Sequence, residues 1–144
     1  QLFRIMSVVV ILTDDIAAAQ AVRHSVFVVE QGISLADEID GRDEEALHLL
    51  ALDGQTPIGV ARILIESGKG KIGRVAVLAE RRGEGSGKAL VRAAVEVLRD
   101  QGASLATLGA QSHATGFYAE LGFEIVGPEF MDAGIPHREM VLTL

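Results

Sequence analysis

Gly83, Gly85 and Gly87 fall at every second position of the segment Arg81-Arg82-Gly83-Glu84-Gly85-Ser86-Gly87-Lys88. Glycines this dense are costly unless the backbone needs them, and the need inferred here is close approach by a ligand. An apolar pattern at helical spacing follows, so the segment opens a helix. The first backbone N–H groups of a helix have no partners within it, and the helix dipole is positive at that end. A phosphate satisfies both, and Arg81, Arg82 and Lys88 add positive charge there. Register excludes two familiar phosphate motifs. A P-loop needs Gly, four residues, then Gly-Lys-Ser/Thr; counting back from Gly87-Lys88 meets Arg82, and Ala89 replaces Ser/Thr. A dinucleotide fingerprint starting at Gly83 needs Gly or Ala three residues after Gly85 and meets Lys88. The competing reading is an ordinary tight strand-to-helix turn.

The elements around this turn follow from apolar periodicity. Val8 to Leu12 reads as a buried strand, and Thr13-Asp14-Asp15 as the start of a helix that carries Ala18, Val22, Val26 and Val29 and ends at Gly32. Residues 33–45 are acidic and lack a period, which suggests a solvated loop or loose helical turn. Ala46 to Leu52 and Pro57 to Ile65 form a hairpin about Asp53-Gly54-Gln55-Thr56, and a strand from Ile72 to Leu78 leads into the glycine turn. The helix after it shows the rows Ala89/Ala93/Val97 and Leu90/Ala94/Leu98 and ends at Gly102. Ala103 to Gly109 is strand-like, and Ser112 to Leu121 is a short helix closed by Gly122-Phe123. Two last strands, Phe123 to Val126 and Glu139 to Leu144, are joined by a loop around residues 131–136. The order is that of a single mixed α/β layer domain over residues 1–144. Residues 1–5 are expected to be a disordered or appended tail, with Met6 as a natural start.

With the elements in place, a resemblance emerges. Arg82-x-x-Gly85-x-Gly87, preceded by Arg74-Val75-Ala76-Val77-Leu78, resembles the acyl-CoA motif of the GNAT N-acetyltransferase superfamily. Gln111-x-x-Ala114-x-x-Phe117-Tyr118-x-x-Leu121-Gly122-Phe123 resembles its second motif. Val26-Phe27-Val28-Val29-Glu30-Gln31-Gly32, with Asp40, His48 and Gly134-Ile135-Pro136-His137, is similar to the ElaA-like and YjcF-like branch. The resemblance implies the acyl-CoA N-acyltransferase fold, a mixed central sheet of about six to seven strands flanked by helices. It implies acetyl-CoA as cosubstrate and an acetyl transfer to a primary amine by direct attack on the thioester in a ternary complex; no metal is expected, since the four His are scattered.

Roles follow residue by residue. The resemblance implies that the amides of Arg82, Gly83, Glu84, Gly85, Ser86, Gly87 and Lys88 hold the pyrophosphate. Val75, Ala76 and Val77 would pair with the pantetheine arm as an added strand does. Gln111 stands where the superfamily often has Asn and would also reach the pantetheine. Tyr118, the chain's single tyrosine, has the family role of protonating the departing thiolate. A phenol near pKa 10 is a weaker acid than a thiol near about 8.5, so a hydrogen bond to the developing thiolate is the more economical description. The acceptor amine must lose a proton, and Glu30, Asp40, His48 and His137 are the candidates for a base or water-ordering group. Glu30 closes its helix toward the cleft and is expected to be catalytic beside Tyr118; Asp40, His48 and His137 are expected to line the substrate side. The bland alternatives are solvated acids for Glu30 and Asp40 and a satisfied strand histidine for His48. His113 reads as a surface or capping residue.

Composition sets the outer bounds. A net charge of −7 with no basic stripe argues against nucleic acid and leaves a small-molecule or peptide amine as the partner. No cysteine means no disulfide or thiolate chemistry, which fits a cytoplasmic protein. The apolar N-terminal run is broken by Arg4 and reads as a strand, not a membrane or signal helix. The superfamily includes many dimers, and a homodimer is compatible with this reading. Two alternatives stand beside it: a non-catalytic acyl-CoA-binding regulatory module, and an acyl-homoserine-lactone synthase. The second usually carries early aromatic residues including Trp, which this chain lacks.

Overall fold

A computed structural model describes residues 3–5 and 7–144, with side chains from residue 7 onward. The proposed start at Met6 lies outside the described residues, as do Gln1 and Leu2. The expected tail is in part a strand, β1 (Phe3–Ile5), paired antiparallel with Val8–Val10 of β2 (Val8–Thr13). This strand brings the sheet to eight, one more than the upper expectation.

Asp15 caps α1 (Ile16–Arg23) by accepting from Ala18 N at 3.0 Å, and the helix runs on as a π-helical stretch, His24–Glu30. The segment expected to be a solvated loop instead holds α2 (Leu35–Glu38), capped by Ser34, and a 3-10 turn at Asp43–Glu45. The hairpin of β3 (Leu47–Asp53) and β4 (Thr56–Glu66) and the next strand β5 (Lys69–Val77) follow. α3 (Ser86–Asp100) then crosses over to β6 (Leu105–Gln111). A 3-10 turn at Ser112–Ala114 precedes α4 (Thr115–Ala119), which ends as expected: Phe123 N donates to Tyr118 O at 3.2 Å and Gly122 N to Ala119 O at 3.0 Å, with Gly122 at φ 96°. The last two strands are longer than expected. β7 (Glu124–Asp132) and β8 (Ile135–Thr143) absorb most of the supposed loop, leaving a two-residue turn in which Ala133 and Gly134 both have positive φ. Such turns match the twist of a hairpin, so pairing extends to the tip.

The strand order is β1-β2-β3-β4-β5-β6-β8-β7, with β5–β6 parallel and the other pairs antiparallel. α3 buries Leu90, Ala94 and Leu98 against one face. It lies close because Gly59 and Gly70 carry no side chain where Leu90 and Leu98 seat. α1 and its extension cover the other face through Ala19, Val22 and Val26 on Leu50, Val60 and Ala76. Among the described residues no helix is long and apolar enough to cross a membrane.

The feature that makes a site is a divergence. β5 pairs with β6 only from Lys69–Lys71 to Leu105–Thr107. On its other side β5 stays paired with β4 out to Val77↔Gly59. A bulge lies midway, where the β4–β5 register shifts between Val60 and Arg62 and Arg74 takes φ 51°. Such bulges bend a strand and sharpen its twist. Past Lys71, β5 therefore presents a strand edge to a gap, not to a neighbour.

Candidate active site

The gap opens into a cleft of about 950 Å³ lined on the strand side by Gly73, Val75, Ala76 and Val77, and beyond the gap by Gln111 and Tyr118. The glycine turn follows this strand; Arg82 lines the cleft and residues 83–88 are not among its lining residues. Gly83 (φ 82°) and Gly85 (φ 91°) hold left-handed backbone conformations that glycine adopts without strain, and Gly85 is the residue immediately before α3. The first main-chain bond of α3 runs from Ala89 N to Gly85 O at 3.1 Å. The donors of Ser86, Gly87 and Lys88 thus precede the helix's own ladder and can serve an anion. Gly87 is needed for a different reason: a Cβ there would lie 3.3 Å from Phe117 Cζ, the ring beside Tyr118. The buried Ser86 hydroxyl has no protein partner among the described residues.

The three cations of the turn are not free. Arg82 donates from Nη1 and Nη2 to both oxygens of Glu30 at 2.6 and 2.7 Å, and from Nε to Val77 O at 3.0 Å. Arg81 pairs with Asp53 and Glu84, and Lys88 with Glu120. The arginine and lysine charge of the turn is thus locally compensated, which leaves the backbone amides as its unspent donors. Glu30 lines the cleft, as expected of a residue closing its helix there. The hydrogen bonds from Arg82 hold its carboxyl below the usual glutamate range, which makes it a weak proton acceptor.

Gln111 ends β6 and bridges two neighbours: Nε2 donates to Gln31 Oε1 at 2.9 Å, and Oε1 lies 2.8 Å from His113 Nε2. His113 is exposed but also lines the cleft. Tyr118 projects from α4 between Phe117 and Phe123, edge-to-face with both at ring separations of 5.0 and 6.2 Å. Burial alone pushes its hydroxyl up to about 12.

The residues expected to line a substrate side differ most from expectation. Asp40, though in a loop and partly exposed, is not left to solvent: Arg62 grips both its oxygens at 2.8 and 2.6 Å, and Arg74 approaches at 3.4 Å. Arg62 holds the Asp40 carboxyl well below the ordinary aspartate range despite partial burial. Asp43 is likewise lowered; burial works against ionisation, and hydrogen bonds from Arg23, Gln20 and Arg62 outweigh it. Arg23, fully buried, forks onto Glu38 at 3.0 Å on each arm and onto Asp43 at 2.8 Å, while Arg74 joins Glu38 at 2.9 Å. Thus Arg23, Arg62 and Arg74 neutralise Glu38, Asp40 and Asp43. Within the acidic run 37–45, the carboxylates of Glu38, Asp40 and Asp43 are spent on these arginines and that of Glu45 on Arg42, while Asp37, Glu38 and Asp40 line the cleft. This network was missed from sequence. Its signal was a lone Arg within the apolar helix face Ala19, Val22, Val26 and another in the apolar run of β4.

His48 and His137 part company. His48 is buried in β3 with Nε2 2.7 Å from Asp43 O, behind the cleft wall and not among its lining residues. His137, on β8 opposite Gln111, lines the cleft, stacks on Phe130 at 5.8 Å, and places Nδ1 2.7 Å from Ile135 O. Among the described residues no group of three or more His, Cys, Asp or Glu could hold a metal.

This arrangement has close counterparts. The profile of the Acetyltransferase (GNAT) domain matches residues 13–144. The uncharacterized N-acetyltransferase YjcF of Bacillus subtilis (strain 168) is 39% identical over 121 residues, covering 83% of this chain and 86% of that protein. The crystal structure of Escherichia coli ElaA superposes with a TM-score of 0.81 at 30% identity, over 96% of this chain and 99% of that one. A Bacillus subtilis acetyltransferase solved in complex with CoA shares the fold at a TM-score of 0.73 and 19% identity, over 95% and 99% of the two chains. With its diverging strands, glycine-opened helix and C-terminal tyrosine helix, the chain belongs to the GNAT acetyltransferase family, in the branch that holds ElaA and YjcF, and is an acyltransferase.

Proposed function

We propose that this acyltransferase moves the acetyl group of acetyl-CoA to a primary amine of a small molecule or peptide, by direct attack in a ternary complex. The observation that carries the reading is the open edge of β5 past Lys71, running toward the free amide donors at the start of α3. An amide-bearing pantetheine arm continues a ladder at such an edge through Val75, Ala76 and Val77, and its pyrophosphate meets the amides of residues 83–88, the Arg82 amide donating instead to Ala79 O at 3.4 Å. Gln111 faces the arm from the end of β6 across the gap.

In this reading Tyr118 is the residue that meets the departing sulfur. With the phenol pushed up to about 12, full proton transfer to a thiolate whose conjugate acid is near about 8.5 is uphill by roughly 5 kcal/mol. A hydrogen bond to the developing thiolate needs no such transfer. The amine approaches from the wall formed by α2 and the arginine network, whose charges cancel locally.

Amine-dependent release of CoA thiol, followed across polyamines, amino sugars, amino acids and peptides alongside calorimetric binding of acetyl-CoA, tests the reading. Saturable release with at least one amine class is expected. Acetyl-CoA binding with no transfer across the panel would instead favour an acyl-CoA-binding regulatory module.

A further inference from the structure

We infer that His137 is the group that takes the proton from the incoming ammonium, a step the acetyl-transfer reading leaves open and on which this inference rests. An alkyl ammonium near pKa 10.4 is almost wholly protonated at neutral pH and has no lone pair with which to attack. A base needs a lone pair that is both unengaged and turned into the cleft. Glu30 lines the cleft but has both oxygens held by Arg82. Asp40 has both oxygens held by Arg62. His48 must donate from Nε2, because its neighbour at 2.7 Å is the carbonyl of Asp43, and its other nitrogen is buried away from the cleft.

His137 alone of the four meets the condition. A carbonyl oxygen only accepts, so the 2.7 Å contact with Ile135 O places the proton of the neutral ring on Nδ1 and the lone pair on Nε2. Phe130 stacks on the imidazole at an interplanar angle of 29°, fixing its plane. Gly109 keeps the space beside it clear: a Cβ there would stand 3.4 Å from Phe130 Cζ and 4.0 Å from His137 Cδ2, the carbon bonded to Nε2. The Ile135-Pro136-His137 turn-strand junction thus presets the tautomer and, among the described residues, leaves Nε2 of this cleft-lining side chain without a hydrogen-bond partner.

The chemistry balances. Nε2 takes one proton from R–NH3+ in an uphill pre-equilibrium that the amine's attack draws forward, leaving imidazolium and a neutral amine. The amine nitrogen bonds to the thioester carbonyl carbon, and the C–S bond breaks as the tetrahedral adduct collapses. The second nitrogen proton accompanies the leaving thiolate to give CoA-SH, and the imidazolium returns its proton to solvent.

The test compares wild type with His137→Gln, using butylamine, which is protonated near neutral pH, and methoxyamine, which is neutral there, as acceptor probes. The expected result is a fall of about 100-fold or more in kcat/KM for butylamine, a fall within about threefold for methoxyamine, and unchanged acetyl-CoA binding. Equal falls with both amines, or none, would overturn the assignment while leaving acetyl transfer intact. Nitrogen NMR of the wild-type chain gives a reading independent of the variant's folding: an Nδ1–H tautomer at His137 is expected, and an Nε2–H tautomer overturns the inference. A wild type that binds acetyl-CoA but releases no thiol with either amine removes the acetyl-transfer reading, and this inference with it.

Discussion

Tyr118 and Glu30 show how environment assigns roles that residue type alone leaves open. The hydroxyl of Tyr118 lies among Phe117 and Phe123, where burial raises it to about 12 and keeps it protonated throughout any working pH. A hydrogen bond to a charged partner contributes about 1.5–3 kcal/mol, so Tyr118→Phe should lower kcat by roughly 10- to 150-fold while leaving the acetyl-CoA Kd unchanged. Unaltered turnover would remove Tyr118 from the reaction. Glu30 makes the opposite case. Its carboxylate is bound to Arg82 in an exposed bidentate pair and held below its ordinary range. Glu30→Gln should therefore release Arg82 toward the pyrophosphate. Binding of acetyl-CoA should tighten by up to about fivefold at low salt, with the gain vanishing at high salt, and kcat should be nearly preserved. A collapse of kcat with unchanged binding would show that Glu30 acts on the amine after all.

At the scale of elements, the site depends on two connections of different kinds. The glycine turn, the cap at Asp15 and the Gly122-Phe123 helix stop are local, and each was legible because its residues lie within a few positions of one another. The β5–β6 divergence and the Arg23–Glu38–Arg74 links join residues 15 to 36 positions apart. Nothing in Arg62 or Arg23 alone says which carboxylate it meets, and the acidic run could equally have been solvated. Long-range pairing is also why β7 and β8 outgrew their expected bounds, since Ala133-Gly134 makes a turn only once the strands on either side are in register. α2 is only four residues long, far too short to persist by itself, and is docked by these ion pairs. Glu38→Ala leaves the fully buried Arg23 with only Asp43 and should cost about 3–5 kcal/mol in urea unfolding. The pair replacement Arg23→Met with Glu38→Leu should recover most of that loss. If the double variant is as unstable as the single one, the network contributes through more than charge compensation.

For the molecule as a whole, the excess of acid over base, 20 Asp and Glu against 13 Lys and Arg, coexists with a cleft wall whose charges cancel. The acid sensitivity of the fold should therefore come from specific pairs and not from net charge. Asp40 and Asp43 have folded-state values depressed below their unfolded ones, chiefly through Arg62 for Asp40 and through Arg23, Gln20 and Arg62 against burial for Asp43. A depressed carboxyl contributes stability that is fully present above the unfolded value, near about 3.9, and is lost as pH falls below it toward the folded value. Wild-type stability should thus be flat from neutral pH down to about pH 5 and then drop steeply. Asp43→Asn cannot titrate and leaves Arg23 and Arg62 short of a counter-charge. It should be less stable at neutral pH, and it should lose less on acidification, so the two curves converge at low pH. Urea unfolding of both proteins across that range measures the difference directly. Parallel curves would mean that Asp43 titrates with nearly the same affinity in the folded and unfolded chains, and that the arginine cluster is not what makes the wall of this cleft acid-labile.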